Sequence, residues 1–188
     1  MASNINSETH KRLILDNAVV QLNYTTTAAT NLGATRGGAT FMVEREYRDV
    51  EVDGTKGSVK GFKRVISESP QITATCIEYT STMISQLIPG VSVTTATSTQ
   101  TYDKITSDVN ISSTNYLTDV AIVGTVSGST VDAVCIVKNA LNDGNFEMAT
   151  EDQNEAETEV QFTGHYASTA LSSAPWEIRY PGSSNFTT

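Results

Sequence analysis

At 188 residues the chain suits one domain, large enough to bury a core without staples. Hydrophobic residues make up 38% and charged residues 18%, so the surface leans on uncharged Thr, Ser and Asn, and abundant β-branched Thr favours strands over helices. The net charge of −9 divides unevenly, +2 over residues 1–64 and −11 over residues 65–188, with no Lys or Arg from Asn139 to Ile178; this excludes the clustered basic residues that grip nucleic acid, while suiting a surface past which nucleic acid slides without sticking.

Residues 1–12 are polar and aperiodic and are expected to form an N-terminal arm. A first strand is expected over Leu13–Tyr24, with Ala18, Val20, Leu22 and Tyr24 on one face. A Thr-rich turn then leads to Gly33, Gly37 and Gly38, glycines suited to positive φ or close backbone approach. Thr40–Asp53 carries the longest strand signal, with Phe41 and Val43 on one face and Glu44, Glu46 and Arg48 on the other. Past Asp49 the apolar residues Val50 and Val52 switch faces. A period-2 strand does this only at a bulge or where burial changes, so the strand is expected to leave the domain as a projecting hairpin. Its tip is D-G-T-K-G and it returns through Val59–Ser67, with a further strand over Gln71–Tyr79 that starts after Pro70.

The period then changes. Thr80 or Ser81 can cap a short helix on which Met83, Ile84, Leu87 and Ile88 follow helical spacing, and Pro89-Gly90 stops it. Val91–Asn115 holds twelve Ser/Thr in 25 residues and suits either a mobile insertion or an extra hairpin on the outside. Leu117–Val126 and Thr130–Asn139 read as a hairpin around S-G-S. An acidic loop over Leu141–Thr158 precedes a strand at Glu159–Tyr166, with Val160, Phe162 and Tyr166 on one face. Trp176–Tyr180 closes the domain, and residues 181–188 form a C-terminal tail.

The residue types that carry chemistry are sparse. G-A-T-R-G-G lacks the G-K-[ST] ending of a phosphate-binding loop and is read as turn glycines. Asp143, Glu147, Glu151, Asp152, Glu155, Glu157 and Glu159 form an acidic run, either a solvated loop or acidity displayed on an oligomer surface. As a calcium loop, N-A-L-N-D-G has an apolar residue where a ligand belongs. His10 and His165 stand far apart in sequence, and no nucleophile elbow accompanies them. Cys76 and Cys135 have apolar neighbours and read as core residues, although a bridge between them is possible. No catalytic, metal or cofactor constellation emerges, so the expectation is a protein that is not an enzyme and needs no cofactor. The N-terminal residues lack an apolar h-region and no apolar run reaches membrane-spanning length, so the expectation is a soluble protein made in a cytoplasm, with no membrane anchor.

The order of these pieces resembles the major tail tube proteins of long-tailed, siphovirus-like bacteriophages. The matching segments are D-N-A-V-V-Q-L-N-Y, L-G-A-T-R-G-G, R-E-Y-R-D-V-E-V-D-G-T-K-G-S-V-K-G and T-C-I-E-Y. The short helix, the central hairpin, V-Q-F-T-G-H-Y and P-W-E-I-R-Y-P complete the series, over most of the chain. The resemblance implies a mostly β fold, sandwich- or barrel-like, with one short flanking α-helix and a long projecting β-hairpin. The tube domain would span 13–180, with a hairpin loop at about 48–64 and the Ser/Thr-rich insertion at about 91–115.

It further implies a structural virion protein whose hexameric rings stack into a tail tube, the conduit for DNA ejection. Its partners would be other copies of itself, a tape measure protein, tail tip and terminator proteins, and DNA in transit. The chain would reside in the virion tail after assembly in the host cytoplasm. Inner tubes of contractile tails and secretion-system tubes share this general architecture. The lumen-facing acidic candidates are Glu44 and Glu46, followed by Asp119, Glu157 and Glu159. The candidates for hairpin contact with the next ring are Arg48, Asp53, Lys56, Lys60, Lys63 and Arg64, whose bases would meet the acidic Glu147–Glu159 surface. The competing reading is a capsid decoration or adhesin-like β-sandwich that recognises glycans, for which surface aromatics in loops are expected; here Trp176 and most Tyr lie in strand-like segments.

Overall fold

Alternation between apolar and polar residues dominates this chain, and the computed structural model, which describes residues 6, 8–14, 18–150 and 152–186, is accordingly built mostly of antiparallel strands. The strands are β1 (Val19–Leu22), β2 (Thr30–Asn31), β3 (Thr35–Asp49), β4 (Lys63–Cys76), β5 (Val91–Thr94), β6 (Lys104–Ser107), β7 (Leu117–Gly124), β8 (Ala133–Asn142), β9 (Thr158–Gly164) and β10 (Trp176–Arg179). The helix α1 (Ser81–Leu87) follows β4. Parts of the expected arm (1–5 and 7), of the first strand (15–17), Glu151 of the acidic run and the last two residues of the tail lie outside the described residues.

The main sheet runs β2-β1-β7-β8-β9-β4-β3, with β10 paired to β8 as well. One core joins its two halves: Val20 and Leu22 of β1, Val120 of β7 and Val137 of β8 meet Ile72 and Ala74 of β4 and Val160 and Phe162 of β9. Helix α1 flanks this core. The Thr80 hydroxyl accepts from the Met83 amide at 3.1 Å, and Met83 and Leu87, one helical turn apart, are buried. Residues 91–107 form the exposed hairpin β5–β6, a separate two-stranded sheet.

Several sequence expectations are corrected. Tyr24 leaves the face shared by Val20 and Leu22 because Asn23 adopts a left-handed backbone (φ 54°), and Tyr24 packs instead on the opposite apolar patch of Ala121, Val134 and Ile136. The strands expected at Val59–Ser67 and Gln71–Tyr79 are one strand, β4, with Pro70 in its middle. Proline removes a ladder donor, but at Pro70 the pairing with β9, which starts at Gln71, has ended and β3 alone lies alongside. The long strand starts earlier than expected, at Thr35, because Gly37 and Gly38 (φ 77° and 85°) form a bulge that lets it pass around the sheet's rim. It ends at Asp49, so Val50 and Val52 belong to the loop. Leu141 and Asn142 are buried strand residues rather than loop, and Tyr166 lies beyond the end of β9.

Candidate assembly surfaces

Strand register decides which side chains share a surface. On the outer face of β9, β4 and β3, successive rows read Glu159–Thr75–Arg36, Gln161–Thr73–Thr40 and Thr163–Gln71–Met42. Beyond β9 the rows continue as Ser69–Glu44, Ser67–Glu46 and Arg64–Arg48. The opposite face of the same strands holds Ile72, Ala74, Val160 and Phe162 in the core, so the outer face is free of their apolar load and is almost wholly polar. Glu44 and Glu46 thus stand exposed on one face with Glu159, more than a hundred residues away in sequence.

Glu157 reaches the rim of that face differently. The Arg36 guanidinium is gripped by Glu155 and Glu157 together, with Asn154 Oδ1 accepting a further hydrogen bond at 3.1 Å. This clasp raises the Arg36 pKa, chiefly through the Glu155 hydrogen bond and then that of Glu157. It holds the Glu155 carboxyl below its ordinary value. Asp119 does not belong to this surface. It is 2% exposed and accepts from the Thr25 amide at 3.2 Å and from the Thr25 hydroxyl, so its charge is spent on fixing the turn after β1.

The inner face of the β3–β4 ribbon gives the second surface. Its rows are Phe41–Ile72, Val43–Pro70, Arg45–Glu68, Tyr47–Val65 and Asp49–Lys63. The first two are packed against the domain. Past Arg45–Glu68 the ribbon leaves it, and Tyr47 and Val65 stay 49% and 48% exposed, with Ile66, the extra residue of a second bulge, at 57%. The loop over residues 50–62 extends this arm and adds exposed Val52, Val59 and Phe62.

Five basic residues (Arg48, Lys56, Lys60, Lys63, Arg64) outnumber three acidic ones (Asp49, Glu51, Asp53) over residues 48–64. Lys63 lies 3.9 Å from Asp49 and 5.7 Å from the Tyr47 ring centre, while Arg64 donates to the Gly61 carbonyl at 2.9 Å. Among the described residues no ion pair joins Arg48, Lys56, Lys60 or Arg64 to a carboxylate, and none joins the hairpin to Glu147–Glu159 within one chain. Asp53 is exposed in the loop.

The remaining titratable groups are structural in their surroundings. His165 Nδ1 lies 3.2 Å from the Asn139 carbonyl and its ring meets Tyr116 edge-on at 5.1 Å. Cys76 is fully buried, which pushes its thiol up to about 11, and half-buried Cys135 is raised by the same cause; both are free. Among the described residues no three His, Cys, Asp or Glu converge as a metal cluster, and no helix is long and apolar enough to cross a membrane.

Sequence reasoning missed Arg36, Arg45, Glu68 and the Tyr47–Val65 pair. Arg45 had a signal: it falls on the odd, core-side face behind Phe41 and Val43, where a charge needs a partner. For Arg36 no signal existed, since its partners lie more than a hundred residues away.

No protein-family model and no curated protein matches the chain. Among solved structures it is similar to a chain from the virion of a native gene transfer agent particle, with a TM-score of 0.41 and 11% identity over 87% of this chain and 96% of that one. It is likewise similar, at the same TM-score and identity, to a chain from the tail of an empty gene transfer agent particle refined helically with C6 symmetry, over 87% of this chain and 95% of that one.

Proposed function

We propose that the chain is a structural protein of a phage-like virion tail, whose copies close into hexameric rings that stack into a tube for the passage of DNA. The observation that carries this reading is the β3–β4 arm. Fifteen residues of β3 form the edge of the sheet among the described residues, and the arm beyond Arg45 leaves Tyr47, Val65 and Ile66 about half exposed. A soluble monomer with a long, exposed, partly apolar edge strand invites further pairing. Ring closure removes such edges, and a heterologous contact repeated head to tail suits a basic arm and an acidic Glu147–Glu159 surface on the same chain.

The polar outer face supports the conduit. Over the body of the sheet it presents Glu44, Glu46 and Glu159, and the cation there, Arg36, is neutralised by two carboxylates; Arg48 and Arg64, without an ion pair among the described residues, follow one row beyond Glu46, where the face passes onto the arm. With a Debye length of about 8 Å in physiological salt, such wall charges repel phosphates close by and leave the axis open. In this reading the arm residues Arg48, Asp53, Lys56, Lys60, Lys63 and Arg64 contact the adjacent ring. A tape measure protein and tip and terminator proteins bound the tube in the virion, and assembly precedes in the host cytoplasm. Electron microscopy across a concentration series tests this. Rings or hollow tubes of uniform width are expected; a monomer that persists at every concentration, with and without tail-tip initiator, overturns it. Within assembled tubes, Glu44→Lys with Glu46→Lys should leave assembly intact and make DNA adhere in low salt.

A further inference from the structure

The sheet forks where β9 ends. On one side of the fork, β8 hands its edge from β9 (Ala140–Asn142) to β10 (Val134–Val137). On the other, β4 runs on from Pro70 to Lys63 with β3 alone beside it. A two-stranded ribbon twists readily, and its own ladder does not fix the angle at which it leaves a domain. Something in the fork must.

Trp176, the first residue of β10 and the sole tryptophan of the chain, occupies that fork. Its ring lies 6.4 Å from Phe41 of β3, and the Arg45 guanidinium sits 5.2 Å from its centre. Its indole N–H donates to Glu68 Oε2 at 2.9 Å, while Glu68 Oε1 accepts from Arg45 Nε at 3.1 Å. The Glu68 side chain is only 13% exposed, so both carboxylate oxygens are engaged in a partly dry site, where charge-assisted bonds are strongest. One carboxylate therefore ties β3, β4 and β10 together at the last row before the arm becomes exposed.

We propose that Arg45, Glu68 and Trp176 form a lock that fixes the direction of the β3–β4 arm in the free monomer, and that this preorganises the arm for contact with a second copy of the chain. The second half rests on the self-assembly reading; the first does not. Holding an arm in its bound direction removes ordering cost from association. These are positioning residues: none of the three needs to touch the neighbouring copy.

The test uses full-length protein with nitroxides at Thr55→Cys in the loop and Thr118→Cys in β7, both exposed, in a Cys135→Ala background with Cys76 buried. Glu68→Gln keeps an acceptor for the indole and loses the ion pair; Arg45→Met keeps the stem and loses the guanidinium. Both are expected to broaden the label-to-label distance distribution about twofold, and to raise the critical concentration for assembly roughly tenfold, with a fall in melting temperature that is larger for Arg45→Met, which leaves the mostly buried Glu68 carboxylate without its cation. Trp176→Phe, which keeps an aromatic ring and loses the indole N–H to Glu68, should do the same. An unchanged distribution in Glu68→Gln and Arg45→Met overturns the lock. A broadened distribution with unchanged critical concentration overturns the preorganisation. If the wild-type chain forms no assembly under any condition, the self-assembly reading fails and the distance distribution still decides the lock.

Discussion

From Gln71 to Cys76, strand β4 lies between β3 and β9, and buried Ile72, Ala74 and Cys76 alternate with half-exposed Gln71, Thr73 and Thr75. From Lys63 to Ser67 the same strand has β3 alone beside it, and every residue is exposed. The pairing with β3 is common to both halves; what differs is a third strand and a layer beneath. Alternation in sequence therefore specifies a strand, whereas burial depends on what the rest of the chain brings to its face. In the body the chain supplies that layer itself. In the arm, among the described residues, Tyr47, Val65 and Ile66 lack one, and an exposed apolar group of this kind suits contact with another molecule.

The contrast is sharpest where a side chain fills the body's core. Phe162 is fully buried among residues of both sheet halves. Phe162→Ala should cost about 3–5 kcal/mol, the usual range for emptying such a site, and chemical denaturation should read it directly. A loss below about 1 kcal/mol would mean that the body does not hold the fold. The next effect belongs to the fork. A Cβ at Gly164 would meet Val137 Cγ1 at 2.6 Å, Pro70 Cγ at 2.9 Å and the Pro175 carbonyl oxygen at 3.0 Å. Gly164→Ala should destabilise by about 1–3 kcal/mol through overpacking. Because it separates β4 from β8, it should also loosen the arm more than a body substitution of equal cost does.

Much of the body was legible in the sequence. Helix α1 declared itself through Thr80, the Met83–Leu87 spacing and Pro89-Gly90, since cap, stripe and stop are all local. The projecting hairpin was legible through the failed alternation past Asp49. Its bulge was not, because the extra residue Ile66 is defined only against Glu46 and Tyr47 of the partner strand. Glu44, Glu46 and Glu159 are recognisable as polar-face residues one strand at a time, and register alone puts them on one surface. Asp119 looked the same in sequence; that it is buried follows from Thr25, ninety-four residues away, whose amide needs an acceptor. Pro70 misled for a similar reason: a proline ends a strand that has neighbours on both sides, and the lost neighbour, β9, lies far along the chain.

A smaller effect tests the rim between the two regions. The Arg36 clasp holds Glu155 below the ordinary value of 4.5. A depressed folded-state pKa contributes stability that is present above the ordinary value and is lost as pH falls through the folded one. Acidification below pH 4.5 should therefore release residues 152–157 while the body stays folded, seen as amide shifts of Asn154 and Glu155 that titrate below the free-glutamate range. Arg36→Gln should restore an ordinary titration. Since Arg36 is 42% exposed on its side chain, global stability should hardly move.

The smallest expected effect on the monomer decides most about the arm. If Tyr47 and Val65 serve the fold of their own chain, replacing both by serine should cost stability as core substitutions do. If they await a partner, the double variant should unfold within about 1 kcal/mol of the wild type, the worth of one half-exposed cross-strand pair in the free chain. The loss of the Lys63 contact over the Tyr47 ring, about 0.5 kcal/mol at an exposed site, falls inside this bound. The same variant should lose assembly, because removing a central apolar pair from an interface costs far more once partners exclude water around it. Denaturation and sedimentation of one sample give both numbers. Neutral stability with lost assembly makes the arm an intermolecular element, whereas a destabilised monomer would return Tyr47 and Val65 to the body and abolish the distinction between the two halves of β4.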